Sequence, residues 1–305
     1  GSINTDSVYR IGTITVLAVP GTGNLFIGKE SGRINTGLDN TFSGDQAGYS
    51  NSAGIDNSFF GRSAGYSNIN GSANAFFCVS SGYSNISGSY NSFFGGATGY
   101  SNTSGFDNSF FGLNAGYSNI SGNSNSFFGR SAGYNTTGDL NSFFGISAGS
   151  SNTTGSNNTT LGSFANVSTG ALNNATAIGY RSYVSLDNSL VLGSINGING
   201  ATSSSRIGIG TSAPSVPLDV RSTAGNILRL DGGTNMYTSF YENGVYRSYI
   251  GSYSGNPEDA DFGTGSGNTT GKLHLTIQAS PKLTVNAAGD VGIGNTAPAY
   301  RLDVN

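Results

Sequence analysis

The chain has 305 residues, 49 of them glycine, with only 10% charged side chains and a formal net charge of −3. So weak a negative charge excludes an electrostatic footprint for nucleic acid or for an anionic membrane, and no stretch approaches the roughly 20 apolar residues of a membrane span. Composition this rich in Gly, Ser and Asn also suits disorder, but aromatic residues make up 11% and recur at fixed spacing, which argues for order.

Residues 1–23 read as an N-terminal β segment or attachment region. The opening Gly1-Ser2 has the look of a cloning scar. Ile11–Val19 is apolar but too short to span a membrane and lacks a basic leader, so it reads as a strand and not as a signal peptide.

Residues 24–193 are an internal repeat. Alignment on the residue that ends each apolar pair gives Gly28, Gly44, Gly61, Cys78, Gly95, Gly112, Gly129, Gly145, Gly162, Gly179 and Gly193. Seven of the ten steps are 17 residues, two are 16 and the last is 14, so there are about eleven rungs. The unit reads N-S-F-F-G-x-x-A-G-Y-S-N-x-x-G-x-x, with two extended pieces, around FF and around AGYSN, separated by glycine-containing turns. Nothing in it has a 3.6-residue period. The column Ala64, Ser81, Thr98, Ala115, Ala132, Ala148 is small, which suits two backbones in close approach. Ile69, Ile86, Thr103, Ile120, Thr136 and Thr153 form a β-branched column suited to a strand edge or corner. Stacking such units gives a flattened parallel β-roll, about 50 Å long at roughly 4.8 Å per strand.

The doubled phenylalanines decide the next step. Successive strand residues point to opposite faces, so each of the pairs Phe59–Phe60, Phe76–Phe77, Phe93–Phe94, Phe110–Phe111, Phe127–Phe128 and Phe143–Phe144 puts one ring inside the roll and one outside. Burying one such ring is worth roughly 2–3 kcal/mol, and a continuous outer stripe of them predicts a subunit interface of two or three chains. The second column continues as Leu161, Ile178 and Leu192, the first as Thr160, Ala177 and Val191. The sequence leaves open which column faces in; the greater apolarity of the second favours it for the interior, with Ser43 as an exception.

The tyrosine column, Tyr49, Tyr66, Tyr83, Tyr100, Tyr117 and Tyr134, has two readings. Facing outward, it is a ladder for stacking on sugars or contacting protein; packed across the roll or between chains, only its hydroxyls are wet. Asn68 and Asn85 suit hydrogen-bonded ladders along the stack, and sequons such as Asn85-Ile86-Ser87 and Asn102-Thr103-Ser104 recur only because the repeat does. Cys78, in a glycine slot without cationic neighbours, reads as a tolerated small residue and not a redox centre. Asp39 and Asp56, one rung apart, have the spacing of a retaining carboxylate pair, but aspartate is also a natural turn residue, and Ala73 and Tyr90 take that position in the next rungs.

Beyond the repeat, 194–224 and 286–305 read as shaft segments, because Ile207–Val220 (IGIGTSAPSVPLDV) returns 84 residues later as Val291–Val304 (VGIGNTAPAYRLDV). Residues 225–285 read as an antiparallel β module, with strands at Asn226–Leu230 and Lys272–Ile277, tyrosines clustered from Tyr237 to Tyr253, and a long polar loop at Gly255–Gly271. The only histidine, His274, reads as a packed or solvated strand residue, the other reading being a metal shared by three chains on a fibre axis. No metal site or cofactor motif is assigned.

Two resemblances follow from these residues. The repeat, above all Ala177-Ile178-Gly179 and Asp187-Asn188-Ser189-Leu190-Val191-Leu192-Gly193, resembles the left-handed parallel β-roll heads of trimeric autotransporter adhesins over roughly residues 24–193. The G-I-G…L-D-V signature resembles shaft segments of phage tail fibres and related receptor-binding proteins, where it commonly precedes an endosialidase-type chaperone domain. The chain ends at Asn305, just past that signature, so on this likeness the chaperone has been removed or the protein folds without one. Together these imply an all-β homotrimer: a left-handed parallel β-roll of about eleven rungs, then a β shaft with an inserted antiparallel module. The implied role is non-enzymatic, a fibre of a phage tail or related contractile injection system. It would bind a host surface glycan or protein multivalently, attach to a tail or baseplate protein at one end, and be extracellular or part of a virion. The alternatives are a cell-surface adhesin or extracellular filament subunit, and a polysaccharide-cleaving tail spike.

Overall fold

A computed structural model describes residues 8–11, 14–18, 23–168, 170–222, 237–251, 261–264, 272–277 and 280–305. The described residues are all-β, with no helix, and fall into two compact units, Gly1–Arg221 and Ser222–Asn305. The expected strand Asn226–Leu230, Tyr253 and most of the loop Gly255–Gly271 lie outside the described residues.

The first unit is a parallel β-solenoid. Strands β1 (Val8–Ile11) and β2 (Ile14–Ala18) form an antiparallel hairpin, and β2 pairs antiparallel with β3 (Leu25–Ile27). From β3 onward one coil adds one parallel strand: β4 (Thr41–Ser43), β5 (Ser58–Phe60), β6 (Ala75–Phe77), β7 (Ser92–Phe94), β8 (Ser109–Phe111), β9 (Ser126–Phe128), β10 (Ser142–Phe144) and β11 (Thr159–Leu161). The chain then forms β12 (Asn166–Val167), β13 (Thr176–Ile178), β14 (Tyr183–Val184) and β15 (Leu190–Leu192). β13 and β15 complete the main sheet, while β12 and β14 pair with each other. Eleven parallel strands thus enclose ten turns, and like sits on like: Phe59 beside Phe76, Phe60 beside Phe77.

The interior is filled by the first phenylalanine of each pair. Phe59, Phe76, Phe93, Phe110, Phe127 and Phe143 are fully buried, with Phe26 and Phe42 continuing the column. The first column, not the more apolar second one that hydrophobicity favoured, therefore faces in. The cause lies across the coil, where each of these rings abuts a glycine; a Cβ on Gly65 would come within 2.4 Å of the Phe59 ring. In the last coils Thr160 and Ala177 leave room, and Val167 and Val184 come inward to fill it. The small column behaves as expected: Ala64, Ser81, Thr98, Ala115, Ala132 and Ala148 are all fully buried.

The segment around AGYSN is not a second strand in most coils. Ser63 (φ 57°) and Gly65 (φ 59°) both lie in the left-handed region, which curls the backbone into stacked turns. Its N–H groups still bond along the stack, Gly65 N–H to Ser81 C=O at 2.9 Å and Ser67 N–H to Tyr83 C=O at 2.9 Å. Only where Asn166 and Tyr183 replace the glycine does the segment extend, into β12 and β14.

Two asparagine ladders close the coil, as Asn68 and Asn85 suggested. In one, Asn91 Oδ1 accepts the backbone N–H of Asn108 at 3.1 Å, and Asn91 Nδ2 donates to the corner carbonyl of Gly105 at 2.8 Å. In the other, Asn85 Nδ2 donates to Asn68 Oδ1 at 2.7 Å and to Gly88 C=O at 2.9 Å. Thr136 takes the asparagine place in the shortened coil after Gly129 and is fully buried, so Thr137 occupies the outer corner that the spacing gave to Thr136.

The last coils are covered by residues 194–206: Asn199 Nδ2 donates to Phe164 C=O at 2.6 Å, and Arg181 Nη1 to Asn199 C=O at 3.0 Å. Then β16 (Ile207–Ile209) and β17 (Leu218–Val220) form a two-stranded parallel sheet. Asp219 ties its connecting loop, accepting from Ser215 N–H at 2.9 Å and from Arg221 Nε and Nη2 at 2.9 and 2.8 Å.

In the second unit, β18 (Tyr237–Glu242), β19 (Val245–Gly251) and β20 (Asp261–Thr264) form an antiparallel sheet. β20 falls within the stretch expected to be one polar loop, where Asp261–Thr264 pairs in register with Gly251–Ser248 of β19. β21 (Leu273–Ile277), β22 (Ser280–Val285) and β23 (Val291–Ile293) are antiparallel, and β24 (Leu302–Val304) pairs parallel with β23, repeating the β16–β17 unit. Asp303 accepts from Ala299 N–H at 3.1 Å, the counterpart of Asp219 and Ser215.

Candidate functional site: two aromatic columns on the solenoid

Five consecutive coils, from Phe60 and Tyr66 to Phe128 and Tyr134, each carry two aromatic side chains on the outer surface. On the strand face, Phe60, Phe77, Phe94, Phe111, Phe128 and Phe144 stack in register with centroids 4.5–5.0 Å apart. They are partly exposed, 37% for Phe60, Phe128 and Phe144. Ile27 precedes the column and Leu161, Ile178 and Leu192 extend it, so that of eleven in-register positions only Ser43 is polar.

The tyrosines form the other column, beside the glycines that receive the buried rings from across the coil. Tyr49, Tyr66, Tyr83, Tyr100, Tyr117 and Tyr134 are each half-buried, with centroids 4.9–5.2 Å apart and planes within 9° of parallel. Packing across the roll is thereby excluded for them. So is face-on stacking along most of the ladder, because each ring face is covered by the next ring. What remains open is the ring edges and the hydroxyls. The hydroxyls of Tyr66, Tyr83, Tyr100, Tyr117 and Tyr134 have no protein partner among the described residues. Burial, with the neighbouring Tyr100 and Tyr66, pushes the Tyr83 hydroxyl above the usual tyrosine range.

Two features of this face escaped the sequence reading. Arg33 stands at the tyrosine slot five residues after Gly28, with its guanidinium 5.1 Å from the Tyr49 ring centre and donating to the Tyr49 hydroxyl, and so closes one end of the ladder. Beside the tyrosines runs a column of half-buried serines, Ser50, Ser67, Ser84, Ser101 and Ser118. The S of the repeated AGYSN was the available signal for it.

The other candidates occupy structural places. Asp39 (φ 56°) and Asp56 (φ 58°) are exposed turn residues in the left-handed region, a backbone that Ala73, Tyr90 and Asp107 share in later coils. Asn85 and Asn102 of the sequons are fully buried, with their amides hydrogen-bonded. Cys78 is exposed at φ 107° in its glycine slot. His274 Nδ1 is 2.8 Å from Thr284 Oγ1 of the paired strand. Among the described residues no group of three or more His, Cys, Asp or Glu could hold a metal ion. Comparison with protein-family models, curated proteins and solved structures finds no match for this chain.

Proposed function

We propose that this chain is the structural and receptor-binding part of a fibre, in a phage tail or related contractile injection system, and that it works as a homotrimer in multivalent recognition of a host cell surface. The observation that carries this reading is the outer phenylalanine column. A rigid rod of eleven strands, roughly 50 Å long, exposes a nearly unbroken apolar stripe along its length. Contiguous apolar patches of that kind are rarely left in water and mark association surfaces, and a stripe parallel to the rod axis fits closed cyclic symmetry. The two GIG…LDV units support it. The β16–β17 sheet has only two strands, which is marginal alone, and the two units expose Ile209, Leu218, Ile293, Leu302 and Val304. Three weak sites on one stiff body gain by avidity. One end of the fibre would engage a tail or baseplate protein, which places the protein outside the cell or on a virion.

The mass in native buffer tests the assembly. A trimer is expected, and a monomer sinks the reading. Phe94→Ser together with Phe111→Ser should dissociate it while leaving each solenoid folded. Electron microscopy of source particles with the labelled protein decides between a fibre on a larger machine and the second reading, a cell-surface adhesin or filament subunit. That alternative is favoured by the last coils, where β12 and β14 add a second strand to each rung. The protein is read as a binding module and not an enzyme. A polysaccharide-cleaving spike would shorten its substrate on incubation and lose that activity in Asp56→Asn.

A further inference from the structure

The tyrosine face has a chemistry of its own, distinct from that of the apolar stripe. Its hydroxyls repeat once per coil, with successive rings 4.9–5.2 Å apart and within 9° of parallel. From Tyr49 to Tyr134 the tyrosine column and the serine column beside it contain no charged side chain. A ligand that uses every coil must therefore be neutral, linear and able to offer a hydrogen-bonding group about every 5 Å. Side chains on one face of an extended peptide repeat at about 6.6–6.8 Å, two residues of strand, and fall out of step within a few coils. Polyproline helices repeat at about 9.3 Å. Nucleic acid would need cationic side chains. An extended chain of pyranose rings joined through equatorial bonds advances close to one coil per sugar and presents hydroxyls along its edge.

We propose that the tyrosine–serine face is a polysaccharide-binding comb, which grips a neutral, extended glycan lying along the solenoid axis through hydrogen bonds to its edge. The inference rests on the fibre reading for its biological setting, but not for its geometry. It differs from the usual aromatic platform, because the ring faces are occupied by one another. Each tyrosine contributes its hydroxyl, and the stack holds those hydroxyls in line. Single contacts are weak, and affinity comes from the number of coils engaged.

Titration calorimetry of the full chain with cello- and chito-oligosaccharides, from dimer to octamer, tests this. Affinity should rise about two- to tenfold per added sugar, level off near the pentamer to hexamer because five of the six tyrosine hydroxyls are open and Arg33 bonds the sixth, and be much weaker for coiled malto-oligosaccharides. Tyr83→Phe combined with Tyr100→Phe keeps the stacked rings and removes the central hydroxyls. It should lower hexamer affinity tenfold or more with oligomeric mass unchanged. The proposal is overturned if neither series binds in a length-dependent way, or if the double variant binds as the parent does. A changed oligomeric mass in that variant also overturns it, by making the column a subunit contact. Absence of glycan binding with the trimer intact removes the comb and leaves the fibre standing.

Discussion

Gly65 lies directly against the ring of Phe59, with no room between them for a methyl group: a Cβ there would meet the ring at 2.4 Å. The same glycine has φ 59°, which an L side chain adopts only at a cost. Gly65→Ala should therefore lower stability by about 2–4 kcal/mol, adding backbone strain to displacement of a core ring. Ser67→Ala, two residues on at the half-exposed surface, should be close to neutral. The two unfolding midpoints, compared side by side, check this.

That pair also shows how far the sequence was legible. The repeat length, the stacked parallel strands and the asparagine ladders could be read because they depend on periodicity and turn chemistry, which are local. Which phenylalanine faces inward depends on what stands across the coil, and the reading from hydrophobicity alone reversed it. The missing signal was internal covariation. Glycine occupies the sixth position after the first column in all eight coils where that column is Phe, and gives way to Asn166 and Tyr183 where Thr160 and Ala177 replace the ring. The same exchange explains the second strand, expected in every coil and formed only by β12 and β14. The tyrosine face was half legible: its spacing was visible, but covered ring faces are a property of the stack.

Asn91 is a second point of cohesion. Its amide accepts the buried backbone N–H of Asn108 and donates to the carbonyl of Gly105. Asn91→Ala leaves the buried Asn108 N–H without this partner, at about 1–3 kcal/mol, while the Gly105 carbonyl keeps its bond from Asn102 Nδ2 at 3.0 Å, so a loss of about 1–3 kcal/mol is expected. Hydrogen exchange should localise the damage to the coils around β7 and β8, because stacked repeats depend chiefly on their neighbours. Uniform loss of protection along the whole solenoid would contradict that.

Thr160 departs from the pattern in the opposite direction. It is fully buried at the first-column position, and its hydroxyl has no hydrogen-bond partner. Thr160→Val keeps the shape and removes an unsatisfied polar group, so stability should rise by about 1–2 kcal/mol. An unchanged or lower melting temperature would show that the hydroxyl is satisfied.

Cys78 is a similar local misfit. Its φ of 107° lies where side chains are strained, and the equivalent residue in the neighbouring coils is glycine. Cys78→Gly should stabilise the solenoid by about 1 kcal/mol, read as a higher denaturant midpoint, while removing the exposed thiol.

The tyrosine ladder gives the stack an alkaline limit. Burial first, then the neighbouring Tyr100 and Tyr66, raises the Tyr83 pKa above its ordinary 10.0. A group whose folded-state pKa is raised contributes stability that is fully present below its unfolded value and is lost as pH rises through the folded one. Stability should therefore be insensitive to this group up to about pH 9, then decline above pH 10, where the unfolded chain releases the proton more readily. Tyr83→Phe keeps a ring in the stack and removes the ionisation, so its denaturant midpoint should fall less steeply between pH 10 and 11 than that of the parent. Tyrosinate absorbance followed across the same range provides the independent check. If the Tyr83 contribution, taken as parent minus Tyr83→Phe, titrates at the ordinary tyrosine value, the ring is not held in the desolvated stack described above.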